Sequence, residues 1–219
     1  MMLNKHSVIG LILLLACIAS CSTKPAKKLS LFPINLAPLS DWQERHFSGS
    51  TLYSIIGNEG ETILKAQSSN SASMLFKRLT VDLTKTPYLN WHWKINNTLG
   101  PVDEKSRQGD DYPARLYIAI KPETLSITPR ALTYVWSSNS KKLAHWNNAF
   151  TNNVVMLALQ SGDQFSQQWL SEKRNLRDDL KQYFNEEITS IEAIALMTDT
   201  DNSHSSTTAF YKNIYFSKH

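Results

Sequence analysis

The stretch YLNWHWKI at residues 88–95 decides the fold class, because apolar and polar residues alternate through it. Its leucine, two tryptophans and isoleucine fall on one face of an extended strand, and its polar residues fall on the other. Trp91 and Trp93 are therefore predicted to lie in the core, where rings of this size bury a large area. A sugar-stacking platform is the alternative for the same two rings.

Further strand-like segments recur along the chain at the spacing typical of β-sandwiches. Short runs rich in Ser, Thr and Asn separate some of them and are predicted to be loops. The segments are residues 51–56, 61–67, 73–83, 114–120, 131–137, 154–160, 191–198 and 209–216.

One short helix is predicted in NLRDDLKQYFN, residues 175–185. Leu176 and Leu180 begin an apolar stripe at helical spacing, Asn175 is a suitable N-cap, and Asn185 can adopt the left-handed conformation that ends a helix. Many short strands with one short helix predict a mainly β fold, an antiparallel two-sheet β-sandwich.

The N-terminal sequence MMLNKHSVIGLILLLACIASC resembles a bacterial lipoprotein signal peptide. Its apolar run is too short to span a bilayer comfortably, and it ends at Cys21 in a lipobox-like pattern. An ordinary secretory signal is the alternative. We expect a signal peptide at residues 1–20, a lipidated tether at residues 21–38 and a β-sandwich domain at residues 39–219.

The charge and the cysteine content of the chain indicate where the protein is located and which kinds of partner it can bind. Cys17 lies in the predicted signal peptide, so the mature chain is expected to rely on its core rather than on disulfides. The formal net charge is +4, and lysines of the signal and tether account for it, so the domain is close to neutral. A nucleic-acid partner has little electrostatic support. Ser22 after the cysteine favours the outer membrane, with the protein anchored on its periplasmic side.

Charged residues cluster in RQGDDYPARLYIAI, residues 107–120. Asp110 and Asp111 point in alternate directions if the strand begins at once, so both cannot address one substrate oxygen. We expect Arg115 to be held by one of them, or by an acid of residues 172–179, in a partly buried network. The network is either a structural clasp or the lining of a ligand pocket.

Oxygen-bearing side chains alternate in TDTDNS, residues 198–203. Asp199, Asp201 and Asn202 are candidate calcium ligands, since calcium prefers oxygen donors. The alternative is a turn held by Asx hydrogen bonds. Calcium is the only cofactor that the sequence suggests.

Three further tryptophans are candidates for a surface that binds a ligand. Trp136, Trp146 and Trp169 lie outside the clearest core pattern, and Trp146 stands in a polar stretch. Glu172 and Arg174 supply charge close to Trp169 in the sequence.

Several stretches together resemble the signature of DUF3047, a bacterial envelope-associated domain family. They are WHW (91–93), GDDYPAR (109–115), YVW (134–136), SEKRNLRDDL (171–180) and TDTDNS (198–203), and the resemblance extends from Trp42 to the C-terminus. The last strand also resembles that of galactose-binding-like jelly rolls. The resemblance implies a fold and a location, but no activity. The positions that match its polar signature are Asp110, Asp111, Arg115, Trp136, Trp169, Glu172, Arg174, Asn175, Asp179, Asp199, Asp201 and Asn202.

Three functions remain open from the sequence. The first is a lipid-anchored β-sandwich that binds a carbohydrate or another polar envelope ligand without catalysis. The second is a glycan hydrolase in which Asp110 or Asp111 works with Glu172 as acid and base, although no sequence spacing requires them to meet. The third is a purely structural envelope component.

Overall fold

The computed structural model describes residues 29–31, 39–58, 61–121 and 130–219. The predicted signal peptide and the lipidation site Cys21 lie outside these residues. The described chain forms β1 (Leu29–Ser30), β2 (Gln43–Ser48), β3 (Leu52–Asn58), β4 (Glu61–Ser69), β5 (Ala72–Asp82), β6 (Tyr88–Ile95), β7 (Ala114–Ile120), β8 (Arg130–Ser137), β9 (His145–Asn148), β10 (Thr151–Ser161), β11 (Leu170–Asn175), α1 (Leu176–Phe184), β12 (Ser190–Asp199) and β13 (Ser206–Ser217).

The strands form a two-sheet β-sandwich, as the sequence predicts. A six-stranded sheet has the order β11-β6-β13-β4-β3, with β1 paired to β13. A seven-stranded sheet has the order β2-β5-β12-β7-β8-β10-β9. Successive described strands lie in different sheets at β1–β2, β2–β3, β4–β5, β5–β6, β6–β7, β10–β11, β11–β12 and β12–β13, in the manner of a jelly roll.

One pair of strands departs from the predicted antiparallel arrangement. β8 and β10 run parallel, with Leu157 beside Tyr134. The reason is β9, which lies at the edge of the sheet and pairs antiparallel with β10. The chain therefore reverses twice between β8 and β10 and returns in the original direction.

Aromatic side chains from both sheets fill the centre of the sandwich. Trp91 and Trp93 of β6 are fully buried, which confirms their predicted core position. Trp91 stacks on Tyr134 with ring centroids 5.3 Å apart, and Trp93 lies 5.8 Å from Trp136. β6 and β8 thus contribute facing rings, and these contacts join the two sheets.

The helix α1 begins and ends as predicted. The side chain of Asn175 accepts a hydrogen bond from the backbone of Arg177, and Asn185 takes the left-handed conformation with φ of 55°. Leu176 and Leu180 are buried against the core. Within the described residues, none of the helices has the length and apolar character needed to cross a membrane.

Candidate functional site

Arg115 lies at the centre of a buried charged network where β7 begins. Its side chain is only 2% exposed. The guanidinium binds both carboxylate oxygens of Asp199, with its Nε 2.9 Å from Oδ1. It also donates to Oδ2 of Asp110 at 3.4 Å and to the hydroxyl of Tyr117 at 3.1 Å. The predicted contact with Asp110 is present, and Asp199 is a second partner that sequence reasoning missed.

Asp110 and Asp111 hold two different segments. Asp110 accepts hydrogen bonds from the side-chain amide of Asn148, at 3.1 Å. Asp111 accepts from the amide of Asn202 at 3.3 Å and from the backbone N–H of Ser203. The two carboxylates therefore attach the loop before β7 to β9 on one side and to the turn between β12 and β13 on the other.

Three carboxylates of this network have the spacing of cation ligands. One oxygen each from Asp111, Asp199 and Asp201 lie within 4.8 Å of one another, and calcium binds several oxygens at roughly 2.3–2.6 Å. Desolvation, together with the neighbouring Asp111 carboxylate, raises the pKa of Asp201. Arg115 already neutralises part of the charge on Asp199. Calcium binding stays a prediction, with Asp111 joining the predicted ligands.

Another buried carboxylate, that of Glu104, holds the loop before β7 against the end of β8. It accepts hydrogen bonds from the hydroxyl of Ser137 and, at 3.0 Å, from that of Ser140. Burial raises the pKa of Glu104, and these hydrogen bonds oppose that rise. At Gly109 any Cβ would collide with the backbone of Asp103, so the loop folds on itself only with glycine there. These internal contacts favour a structural clasp over a ligand pocket.

Two of the predicted surface tryptophans are buried, so that prediction is wrong for Trp136 and Trp146. Trp136 is fully enclosed because the alternation of β8 turns it inward, and its Nε1 donates to the carbonyl of Gly162 at 3.1 Å. Trp146 packs on Tyr112 in a small hydrophobic cluster, and its Nε1 donates to the Tyr112 hydroxyl at 3.2 Å. Neither ring is placed to stack on a ligand.

Glu172 and Arg174 point from β11 into the sandwich. Glu172 accepts hydrogen bonds from Gln160 at 2.5 Å and from Nε1 of Trp93 at 3.3 Å. Burial raises the pKa of Glu172. Arg174 pairs with Asp179, whose carboxylate also accepts from the hydroxyl of Tyr134 at 2.6 Å. These side chains support the helix and the edge strand β11.

The carboxylates proposed for hydrolysis are not brought together. Asp110 and Asp111 are bonded to the start of β7 and to the turn after β12, whereas Glu172 is bonded to β6 and β10. Among the described residues, Glu172 shares no hydrogen-bond partner with either aspartate. The paired carboxylates of a glycosidase face each other across one bond, and this arrangement does not provide such a pair.

The third predicted tryptophan, Trp169, is partly exposed and lies on the outer face of the six-stranded sheet. Its ring centroid is 6.4 Å from that of Phe210 of β13. Nζ of Lys94 lies 5.3 Å from the Trp169 ring and 4.5 Å from the Phe210 ring. Nζ of Lys212 lies 4.6 Å from the Trp169 ring. We call Trp169, Phe210, Lys94 and Lys212 the aromatic patch.

A polar groove lies beside the aromatic patch at the end of the same sheet. Thr208 stands two residues before Phe210 and pairs with Gln67, so both side chains share the outer face with the patch. The groove has a volume of about 510 Å³ and carries no charged side chain in its lining. Its lining residues are Ser50, Leu52, Gln67, Ser68, Ser69, Asn96, Asn97, Ser206, Thr207 and Thr208.

Sequence reasoning missed Phe210 and the groove, although one signal was available. In the strand sequence TTAFYKN, Thr208, Phe210 and Lys212 alternate with buried Ala209 and Tyr211. An aromatic residue on the polar face of a strand indicates a ring on the surface. The groove has no such signal, because it depends on which strands are neighbours.

The family is established by direct comparison. The model of the family described as a protein of unknown function (DUF3047) matches residues 40–215, so the chain belongs to this family. No curated protein matches the chain significantly.

Solved structures with a similar overall architecture include glycan-binding and glycan-cleaving proteins. The carbohydrate-binding module TmCBM61, in complex with β-1,4-galactotriose, is 10% identical over 83% of this chain and 90% of its own, with a TM-score of 0.38. The xyloglucanase domain of NopAA from Sinorhizobium fredii is 8% identical over 89% and 98%, with a TM-score of 0.42. A cellulase derived from Cel12A of Rhodothermus marinus is 8% identical over 86% and 97%, with a TM-score of 0.43. Similarity at this level carries no information about the ligand of this chain.

Proposed function

We propose that this protein is a lipid-anchored β-sandwich that binds a carbohydrate on the outer face of its six-stranded sheet, without catalysis. The observation that carries the proposal is the partly exposed pair of Trp169 and Phe210 beside an uncharged polar groove. Aromatic rings contact the apolar faces of sugars, and side-chain amides and hydroxyls can bond to the sugar hydroxyls. Gln67, Thr208 and Asn96 supply such groups in the lining of the groove.

The buried carboxylates support binding rather than hydrolysis. Each carboxylate that sequence reasoning assigned to catalysis is already engaged by protein groups, namely Arg115 for Asp110, the backbone of Ser203 for Asp111, and Gln160 for Glu172. An enzyme of this class would need two such groups open to one substrate bond.

Replacing Trp169 with alanine should weaken glycan binding by tenfold or more while leaving the melting temperature nearly unchanged. The side chain is partly exposed, so its loss removes ligand contact area and little of the core. The measurement is affinity of the purified full chain on an array of cell-envelope and plant glycans, followed by calorimetry on the best ligand.

Phe150→Ala is the matched control for that variant. Phe150 is 56% exposed and lies beneath a cation, Arg107, at 5.4 Å, but it stands away from the six-stranded sheet. Equal loss of binding in both variants, or none in Trp169→Ala, would remove the aromatic patch from the proposed site.

The proposed anchor and location rest on the lipobox at Cys21. Acylation there would hold the protein on the periplasmic side of the outer membrane, since several acyl chains give stable attachment where one does not. The lysines of the predicted tether, at residues 24, 27 and 28, add attraction to anionic head groups.

Cys21→Ala should abolish incorporation of radiolabelled palmitate and release the protein from the membrane fraction. Cys17→Ala, which changes a cysteine inside the predicted signal peptide, should retain both properties. Label in the Cys21→Ala variant would exclude this residue as the lipidation site.

A further inference from the structure

Positive charge dominates the outer face of the six-stranded sheet. Lys65, Lys94 and Lys173 point outward because their strand neighbours on either side are turned inward, and Lys212 follows buried Tyr211 and reaches the Trp169 ring. Glu61 is the carboxylate that pairs with Lys212, at 2.6 Å. Within the part of the chain that the structure describes, Lys65, Lys94 and Lys173 form no ion pair. This face therefore carries cations without matching anions, although the whole domain is close to neutral.

Two of the lysines that form no ion pair flank Phe210 of the aromatic patch directly. Phe210 has Lys94 as its strand partner on β6 and Lys65 as its partner on β4. Adjacent strands lie about 4.8 Å apart, so the backbones of the two lysines are separated by about 10 Å across Phe210. A sugar chain that contacts Phe210 from outside thus lies between the two lysine-bearing strands, and Nζ of Lys94 is 4.5 Å from the Phe210 ring centroid.

On the basis of the carbohydrate-binding function proposed above, we propose that the ligand is an acidic polysaccharide built from uronic acids, with its carboxylates bound by Lys94 and Lys65. A polymer that carries a carboxylate on every sugar can satisfy both ammonium groups at once. The uncharged groove then receives the hydroxyl-bearing part of the same chain. Both cations are lysines, which bind oxyanions as point charges without the bidentate geometry of arginine.

The test compares polygalacturonate and alginate with their esterified, uncharged forms, using the full chain and isothermal calorimetry. We expect the acidic polymers to bind at least tenfold more tightly than the esters at low salt. The difference should shrink in about 0.5 M salt, roughly threefold above physiological ionic strength, because exposed charges are screened over a few ångströms there.

Lysine variants test which side chains account for tighter binding of the acidic polymers. Lys94→Gln and Lys65→Gln should each lower affinity for the acidic polymers about tenfold, which corresponds to roughly 1.4 kcal/mol, and should lower affinity for the esters by less. Lys105→Gln is the matched control, because Lys105 also lies over a tryptophan, 5.6 Å from the Trp146 ring, but on another surface. Thermal melting checks that all three variants fold like the parent.

Each contrary outcome has a distinct meaning. Equal affinity for acidic and esterified polymers would overturn the uronic-acid inference and leave carbohydrate binding intact. Binding of neither form would overturn both proposals. Equal losses in Lys94→Gln and Lys105→Gln would place the charge effect elsewhere and overturn the inference. Preferential binding to vesicles of anionic phospholipid over all of the polymers would make a lipid surface the occupant and overturn it as well.

Discussion

Replacing Arg115 with methionine should lower the free energy of unfolding by about 3–5 kcal/mol, because removing one partner of a buried ion pair leaves the other charge uncompensated. Asp199 would lose both of its guanidinium hydrogen bonds, and Asp110 would lose its salt bridge. Methionine retains much of the side-chain volume, so the loss reports charge and hydrogen bonding more than packing. Urea denaturation measured at neutral pH gives the value.

Arg177→Met provides the comparison for this variant. Arg177 also pairs with a carboxylate, Glu187, but its side chain is 41% exposed, and exposed pairs contribute about 0–1 kcal/mol. A similar small loss in Arg115→Met would show that the network around β7 is solvated and is not a clasp.

Arg115→Met, measured together with Asp111→Asn, also distinguishes a structural clasp from a ligand pocket. Loss of stability in both, with glycan affinity retained by the folded fraction, identifies the stretch GDDYPAR as structural. Native stability with lost binding would move the ligand site from the outer sheet face to this network. We expect the first result, because Asp111 bonds to the turn after β12 and Asp110 to β9.

Trp91→Ala should lower the free energy of unfolding by about 3–5 kcal/mol, as deletion of a large buried ring does. Trp91 is fully buried and lies between Tyr134, on which it stacks, and Trp93, which meets it edge-on at 5.6 Å. The cavity would open at the centre of the sandwich, where the two sheets contact each other. Chemical denaturation and a thermal scan measure the effect.

Two other substitutions serve as comparisons for the loss of stability in Trp91→Ala. Trp91→Phe should cost less than the alanine variant, because Nε1 of Trp91 has no hydrogen-bond partner among the described residues and its removal leaves no partner unsatisfied. Trp169→Ala, on the outer face, should change stability by less than about 1 kcal/mol. If Trp91→Ala melts like the parent and loses ligand instead, the core position of this ring is contradicted.

The fold was predictable wherever one face of a strand is buried. β6 and β7 occupy the predicted ranges, 88–95 and 114–120, and α1 has both predicted caps. The strands that sequence reasoning missed include β2, β9 and β11, which lie at sheet edges. All residues of β2 are exposed, and β11 has the charged sequence LSEKRN, so neither shows the alternation that identifies a strand.

The site was harder to predict, because its contacts join residues far apart in the chain. Arg115 and Asp199 meet only because β7 and β12 are neighbours, and the sequence does not state which strands pair. The run ALTYVWS around Trp136 is mostly apolar, so the sequence does not reveal which of its faces is inward. Trp169 is partly exposed, in keeping with its prediction as a surface ring, whereas Phe210 and the lysines beside it follow only from the sheet order.

The pairing of β1 with β13 has a consequence for how the protein would reach its ligand. β1 joins the end of β13 at Tyr215 and Phe216, while the polar groove lies at the opposite end, by Thr208. These ends are separated by about 23 Å along the strand. If Cys21 is acylated, the eight residues from it to Leu29 extend over at most roughly 28 Å. The groove would then lie at the end of the six-stranded sheet that is farther from the lipidated residue. The groove could then contact polymers within roughly 50 Å of the bilayer, which is the tether length added to the length along β13. Polymers that lie farther from the bilayer would not reach it.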